Sequence, residues 1–343
     1  MEKKLQNIFK NKKILVTGGT GCIGCEIVKS LLKYKPNVVR IFSNDENSIF
    51  YMSQEIGTGG NKRFLIGDIR DYERLKVAMK DIDIVYHAAA LKHVPLCEYN
   101  PFEAIKTNVL GTRNLIQSAI ENKVGKVISI STDKAVNPVN TMGATKLLSE
   151  KLIINANFYK GPIETIFSCV RFGNVIFSRG SVVPLFEEQI KSKKMITLTD
   201  PDMTRFMMSI GDTLDLVFKS TLLAKGGEIF ILKMPVVNIE DLADLVIEKY
   251  TEKYDYKKSE IKKEIIGPRA GEKIFEELMT ENEAKIAFET KDMLIIPPPT
   301  NISIDLNIRM SDYEGAHACK LERYISRDVK PLSKDEIKKL LFN

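Results

Sequence analysis

The chain has 343 residues, no tryptophan, only three histidines and five cysteines. Cys22 and Cys25 have CxxC spacing, but no second Cys or His pair accompanies them, so neither a zinc site nor a redox site is expected. Both read as small packing residues. Five cysteines without a paired framework fit a reducing cytosol better than a secreted disulfide scaffold. No apolar run approaches the roughly 18 residues of a membrane span, and residues Met1 to Lys13 lack the apolar core of a signal peptide. A cytoplasmic protein is expected. The formal net charge is only +6, with lysines spread among acids rather than gathered in a stripe, so nucleic-acid binding is not expected.

What is present is an alternation of apolar strands and helices, with 44% hydrophobic residues, ample for a large core and a smaller lobe. Lys13 to Val16 is a β-rich run, and Thr17-Gly18-Gly19-Thr20-Gly21-Cys22-Ile23-Gly24 turns the chain into a helix from Glu26 to Lys33. Gly18, Gly21 and Gly24 recur every third residue between strand and helix, as a βαβ phosphate site requires. Glycines allow the tight turn and close backbone approach, and the helix N-terminus offers free N–H groups to a pyrophosphate.

A second strand, Val38 to Phe42, leads into Ser43, Asn44, Asp45 and Glu46, where such folds meet the adenosine ribose. Ser43 suits either ribose form, Asn44 is neutral, and Arg40 lies within the strand, so NAD and NADP both remain open. A strand from Phe64 ends near Asp68 and Ile69, with Asp68 suited to an adenine amino group. The strand from Ile82 ends in Ala88, Ala89 and Ala90, small enough for a cofactor to lie close. His87 reads as a satisfied structural residue. Lys126 to Ser131 is the next strand and delivers Thr132, Asp133 and Lys134 to the same edge.

The expected fold is therefore α/β, a Rossmann-type doubly wound parallel sheet with a smaller C-terminal substrate-binding lobe. The dinucleotide-binding domain is assigned to 11–173, with 206–235 returning to it. The second lobe and a tail take 174–205 and 236–343. Phe186 to Lys191 and Ile239 to Glu252 read as helices, Lys253 to Lys263 as a solvated insertion, and Pro297-Pro298-Pro299 as a stiff surface turn into the tail.

The glycine segment, Asp68, His87-Ala88-Ala89-Ala90, Asn108 and Lys146 together resemble the extended short-chain dehydrogenase/reductase family. Several further segments resemble the UDP-N-acetylglucosamine 4,6-dehydratases within it. They are Ala89 to Pro95, Ser131 to Pro138, Arg171 to Val175, Ser178 to Val182, Met203 to Phe206 and Gly271-Glu272-Lys273. The resemblance implies a reaction with no net redox change: oxidation at sugar C4, loss of the C5 proton with departure of the C6 hydroxyl, and reduction at C6. It implies Asp133 as the acid for the leaving hydroxyl and Lys134 as the base at C5, which calls for an acid held protonated by burial or substrate charge and a lysine depressed by desolvation or a neighbouring cation. Where relatives carry a Tyr four positions before Lys146, this chain has Met142, whose thioether cannot move a proton. Thr132, Asp133 or water must then take the O4 proton, with Lys146 holding the nicotinamide ribose.

By the same resemblance Lys92 and Asn108 join the cofactor set. Lys92, Met142, Asn174, Ser181, Val182, Arg205, Arg269 and Glu272 form the substrate set, and Arg171 is a further phosphate candidate because guanidinium forks suit phosphate oxygens. The implied cofactor is NADP or NAD, tightly bound and regenerated each turnover, and the implied substrate is UDP-N-acetylglucosamine or a related sugar nucleotide. A homo-oligomer formed through Ile105 to Asn122 and Thr145 to Asn157 is also implied, with no attached membrane domain. The alternatives are a sugar-nucleotide 4-epimerase, which needs no acid and base at C5 and C6, and a non-catalytic nucleotide-sensing protein.

Overall fold

A computed structural model describes residues 1–178, 180–268, 271–299 and 308–342. The six opening strands are β1 (Lys13–Thr17), β2 (Val38–Ser43), β3 (Lys62–Ile66), β4 (Ile84–His87), β5 (Lys126–Ile130) and β6 (Ile166–Arg171). They lie in the order β3-β2-β1-β4-β5-β6, all parallel, and Ile229–Leu232 extends them beyond β6. This is the doubly wound arrangement that the apolar runs foretold. Strands covered on both faces read as continuous apolar runs, and Ile14, Leu15, Val16, Val85, Val127 and Ile128 are all buried. Each such side chain contributes roughly 1.5–3 kcal/mol by leaving water.

The sheet continues in a way the sequence did not announce. Met293–Ile296 pairs antiparallel with Ile229–Leu232, and Phe288–Glu289 and His317–Ala318 follow outward. These strands belong to the main sheet rather than to a second lobe, and Leu278, Met279, Tyr313 and Tyr324 pack into the main core as well. The proline run is no surface turn, since Pro297 and Pro298 are buried. The expected solvated insertion also contains structure. The exposed strand Lys262–Ile265 pairs in parallel with Met195–Leu198, whose Ile196 and Leu198 are buried.

A separate apolar cluster forms the second lobe. Val183, Phe186 and Ile190 of the helix Val182–Lys193 meet Leu242, Val246 and Tyr250 of the helix Ile239–Tyr254, with Ile337 and Leu341 from the helix Lys334–Phe342. A short sheet of Asn174–Val175, Thr204–Met208 and Val236–Asn238 lies where this lobe joins the main sheet.

Two helical details position the groove. The first helix after β1 begins at Cys22, earlier than the sequence suggests, because Gly21 takes an extended conformation at its N-cap. The expected long helix from Ile105 opens with a π-helical turn, Ile105–Leu110, before Gly111–Glu121. Such wide turns re-aim single side chains. Here Asn108 faces inward, where its amide donates to the Leu91 carbonyl (3.0 Å) and Thr145 Oγ1 (3.0 Å) and accepts from the Leu91 N–H (2.8 Å).

The turn after β1 leaves no room for side chains. Gly18 has φ +64°, and a Cβ on Gly24 would lie 2.1 Å from the Gly18 carbonyl oxygen. Gly24→Ala is expected to spread this turn and weaken NAD(P)H binding at least about tenfold, or roughly 1.4 kcal/mol. Titration followed by nicotinamide fluorescence checks this, and unchanged affinity would show that the turn relaxes without cost.

Candidate active site

The carboxyl ends of β1 and β4 flank the point where strand order reverses, which is where open α/β sheets bind ligands. A groove opens there. Its first section, a cavity of about 480 Å³, is lined by Gly18, Thr20, Gly21, Ser43, Asn44, Asp68, Ile69 and Ala88 to Ala90. It continues past Cys22, Ile23, Gly24, Lys92, Thr132, Met142 and Lys146, a further 480 Å³. The far end, about 290 Å³, is lined by Asp133, Lys134, Asn174, Ser181, Val182, Arg205, Glu272 and Glu276. Residues from both lobes thus meet along one channel.

The dinucleotide end is made mostly of backbone and small polar groups. Thr20 donates to Ser43 Oγ (2.8 Å), and Asn44 donates to Asp68 (3.2 Å), which also pairs with Arg70 (2.7 Å). Burial raises the Asp68 carboxyl, but the Arg70 and Asn44 hydrogen bonds outweigh that and hold it below its ordinary range. Arg40 turns away and donates to the carbonyls of Ala78 and Lys80. His87 is buried between Thr17 Oγ1 (2.8 Å) and Thr112 Oγ1 (3.1 Å). Desolvation and the nearby Lys146 push it down to about 3, which keeps it neutral. Asn108 does not line the groove. Its amide is spent bracing Leu91, so its role is support rather than direct contact.

At the centre, Lys146 donates to the Ile130 carbonyl (2.6 Å), and burial lowers its pKa. Met142 is buried against Cys97 and Ala104 where the helix Thr141–Tyr159 begins, with one edge on the groove. Asn140 caps that helix by accepting from the Gly143 N–H (2.8 Å).

The far end is a compact charge cluster. Asp133, 3% exposed, accepts from Thr132 Oγ1 (2.7 Å) and from Lys134 Nζ (3.0 Å). Burial alone would raise the Asp133 carboxyl, yet Lys134 and Thr132 hold it below its ordinary range. Burial would lower Lys134, but the Asp133 and Glu276 carboxylates outweigh it and raise the ammonium pKa. The pair rests as carboxylate and ammonium. Sequence reasoning asked for the reverse, a protonated Asp133 and a depressed Lys134, and the geometry shows why: each satisfies the other.

Glu276 completes this cluster and was missed in the sequence. Its carboxyl accepts from Asn174 (2.8 Å) and the Phe206 N–H (3.1 Å), and stands 3.5 Å from Lys134 Nζ and 3.4 Å from Arg205 Nε. Desolvation and the neighbouring Asp133 carboxylate raise it to about 7. Its one sequence signal is a pair of acids, Glu276 and Glu277, between the apolar residues Ile274-Phe275 and Leu278-Met279.

The arginines do not behave alike. Arg171 is buried and held by Glu150 (2.8 Å), Glu283 (2.8 Å) and the Leu278 carbonyl (3.0 Å), so it is structural rather than a phosphate ligand. Its fork is fully engaged in a desolvated ion cluster. Arg205 borders the cavity but spends most of its donors on the carbonyls of Thr204, Lys273 and Ile274, bracing the 271–276 segment. Arg269 lies outside the described residues. Ser181, at the N-terminus of the helix Val182–Lys193, lines the cavity and has a buried hydroxyl with no hydrogen-bond partner among the described residues.

Residues 14–298 match the family described as polysaccharide biosynthesis protein. The chain belongs to that family. It is an enzyme of the extended short-chain dehydrogenase/reductase kind. It is 46% identical over 308 residues to UDP-N-acetylglucosamine 4,6-dehydratase (inverting) of Campylobacter jejuni, a match covering 89% of this chain and 87% of that protein. It is 42% identical over 340 residues to UDP-glucose 4-epimerase of Rickettsia conorii, covering 97% and 96%. The X-ray structure of Pen from Bacillus thuringiensis superposes with a TM-score of 0.90 at 47% identity, covering 98% of each chain.

The buried guanidinium gives a direct test of its structural role. Arg171→Leu leaves Glu150 and Glu283 without a counter-charge and should cost about 3–5 kcal/mol of unfolding free energy. Denaturant melts without ligand check this. A stability unchanged from wild type, with sugar-nucleotide affinity lost, would instead return Arg171 to the phosphate role.

Proposed function

We propose that this enzyme is a UDP-N-acetylglucosamine 4,6-dehydratase, forming a 4-keto-6-deoxy sugar nucleotide for surface-glycan or glycoprotein sugar synthesis. The observation that carries the reading is the pair of a buried Asp133 and a half-buried Lys134 beside Thr132, lining the channel just past Lys146. Epimerisation at C4 has no use for an acid and a base aimed at C6 and C5, whereas dehydration needs both. The Rickettsia relative's name keeps the epimerase as the competing reading.

The groove fits a nicotinamide dinucleotide. Gly18 and Gly24 leave the turn bare of side chains, the helix Cys22–Lys33 presents its N-terminus there, and Ala88 to Ala90 keep the far wall low. When bound, the nicotinamide supplies a reversible store for two electrons. Lys146 is assigned to its ribose, and Ser181 with the N-terminus of its helix to the substrate diphosphate.

With Met142 unable to take a proton, the O4 proton passes to Asp133 through the Thr132 hydroxyl, 2.7 Å away. Asp133, now a carboxylic acid, gives that proton to the departing C6 hydroxyl, which leaves as water. Lys134 removes the C5 proton and later returns one to C5. The O4 proton ends in the water, and the C5 site regains a proton, so the balance closes.

The test is NMR of the protein with UDP-N-acetylglucosamine in deuterated water, following C4, C5 and C6. A 4-keto-6-deoxy product with deuterium at C5 is expected, and a 4-epimer without deuterium would transfer the assignment to the epimerase. Lys134→Ala should reduce C5 exchange by about 10²-fold or more while sugar-nucleotide binding survives. Exchange at the native rate in that variant would remove Lys134 from the base role.

Association into a homo-oligomer is part of the same reading. Leu96, Tyr99, Phe102, Ile105 and Leu110 are exposed on one stretch before the helix Gly111–Glu121, more apolar surface than an isolated subunit needs. Phe102→Glu should shift sedimentation toward the monomer, and an unchanged profile would locate the contact elsewhere.

A further inference from the structure

Lys134 Nζ lies between two carboxyl groups, 3.0 Å from Asp133 and 3.5 Å from Glu276. If Lys134 is to take a proton from C5, its ammonium must first lose one. Asp133 cannot accept it, because that carboxylate takes the O4 proton. A second acceptor is therefore needed within reach. We propose that Glu276 is a positioning residue that takes the ammonium proton from Lys134 and returns it after turnover. The inference rests on the dehydratase reading, since only that reaction requires a free base at C5.

The step moves one proton and no electrons: Lys134 ammonium and Glu276 carboxylate become Lys134 amine and Glu276 carboxylic acid. The surroundings suit it. Glu276 is 4% exposed, so the neutral acid is favoured by the loss of water. Asn174 and the Phe206 N–H hold the carboxyl in place, and the Glu276 N–H donates to Ser326 Oγ (2.9 Å), so the backbone is pinned too. The charged groups facing it are Asp133 and Lys134 from the turn after β5, Arg205 from Thr204–Met208, and Lys273 from its own segment. Lys273 donates to the Val136 carbonyl (2.8 Å) and so is directed away from Lys134.

The sign of the pH effect follows. Below about 7 Glu276 already holds a proton and cannot take another, so the base stays blocked; above it, the carboxylate can accept. Wild-type C5 exchange should therefore rise with pH through the neutral range.

Glu276→Gln keeps the shape and removes the acceptor. C5 exchange should fall at least about tenfold near neutrality, with KM within about threefold, and the rise with pH should move to the alkaline side, where solvent can deprotonate Lys134. Glu276→Asp should restore a neutral limb. A uniform loss at every pH, or an unaltered profile in Glu276→Gln, would overturn the proposal.

A second measurement needs no substrate. In protein labelled with 13C at glutamate carboxyls, the signal absent from Glu276→Gln should titrate at about 7. Titration in the usual glutamate range, about 4.3, would sink the proposal whichever sugar nucleotide the enzyme takes. Conversely, a midpoint near neutrality in a protein that leaves UDP-N-acetylglucosamine unchanged would place the failure in the substrate assignment.

Discussion

The desolvated ion cluster of Arg171, Glu150 and Glu283 is the interaction on which the rest of this molecule hangs. Arg171 ends β6, Glu150 lies in the helix Thr141–Tyr159, and Glu283 follows the strand Glu277–Met279. Glu150 also accepts from Ser131 (2.8 Å), the residue that leads out of β5 toward Thr132 and Asp133. One guanidinium therefore ties together a sheet edge, the helix that carries Lys146, and the C-terminal segment that carries Glu276. Such a cluster tolerates only geometry in which each charge is matched, because an unmatched one would be stranded out of water. That demand fixes the distance between the Asp-Lys turn and Glu276. A second tie, Asn137 to Glu277 (2.7 Å), holds the same two segments together from the other side.

The groove is built in two chemical styles. Its dinucleotide end offers bare backbone, a helix terminus and small side chains, so recognition there depends on closeness rather than on charge. Its reacting end holds two acids, Asp133 and Glu276, against Lys134 and Arg205, a balanced set in a nearly dry setting. With charges matched, proton positions can change without any group being left ionised alone. Met142 fits between these ends as packing. In the reaction proposed above, the hydroxyl chemistry that a Tyr would bring falls to Thr132, whose oxygen lies 2.7 Å from Asp133.

The sheet and its cofactor edge were legible because their signals are local. Three glycines in a turn, apolar runs ending in Asp68 or Ala88, and the Thr132-Asp133-Lys134 step all state their environment within a few residues. What escaped was long-range. Arg171 reads as a phosphate ligand until Glu150 and Glu283 are seen, 21 and 112 residues away. Glu276 joins Lys134 across a similar gap, and nothing in its own neighbourhood names that partner. The strand Met293–Ile296 was obscured by the prolines that follow it, of which Pro297 and Pro298 are buried instead of turning at the surface. The pKa logic failed for a related reason: residue types suggested what Asp133 and Lys134 would need, while their contact decides what they have at rest.

The chain does not pass from one lobe to the other once. It leaves the main core near Asn174, returns with Phe206, leaves again at Val237, comes back by Leu278 and ends on the second lobe with Leu341. Any displacement of two lobes stitched by so many crossings must bend several segments of chain at once. Groups that line the channel from the two lobes are thus joined through several short spans of chain rather than through one linker.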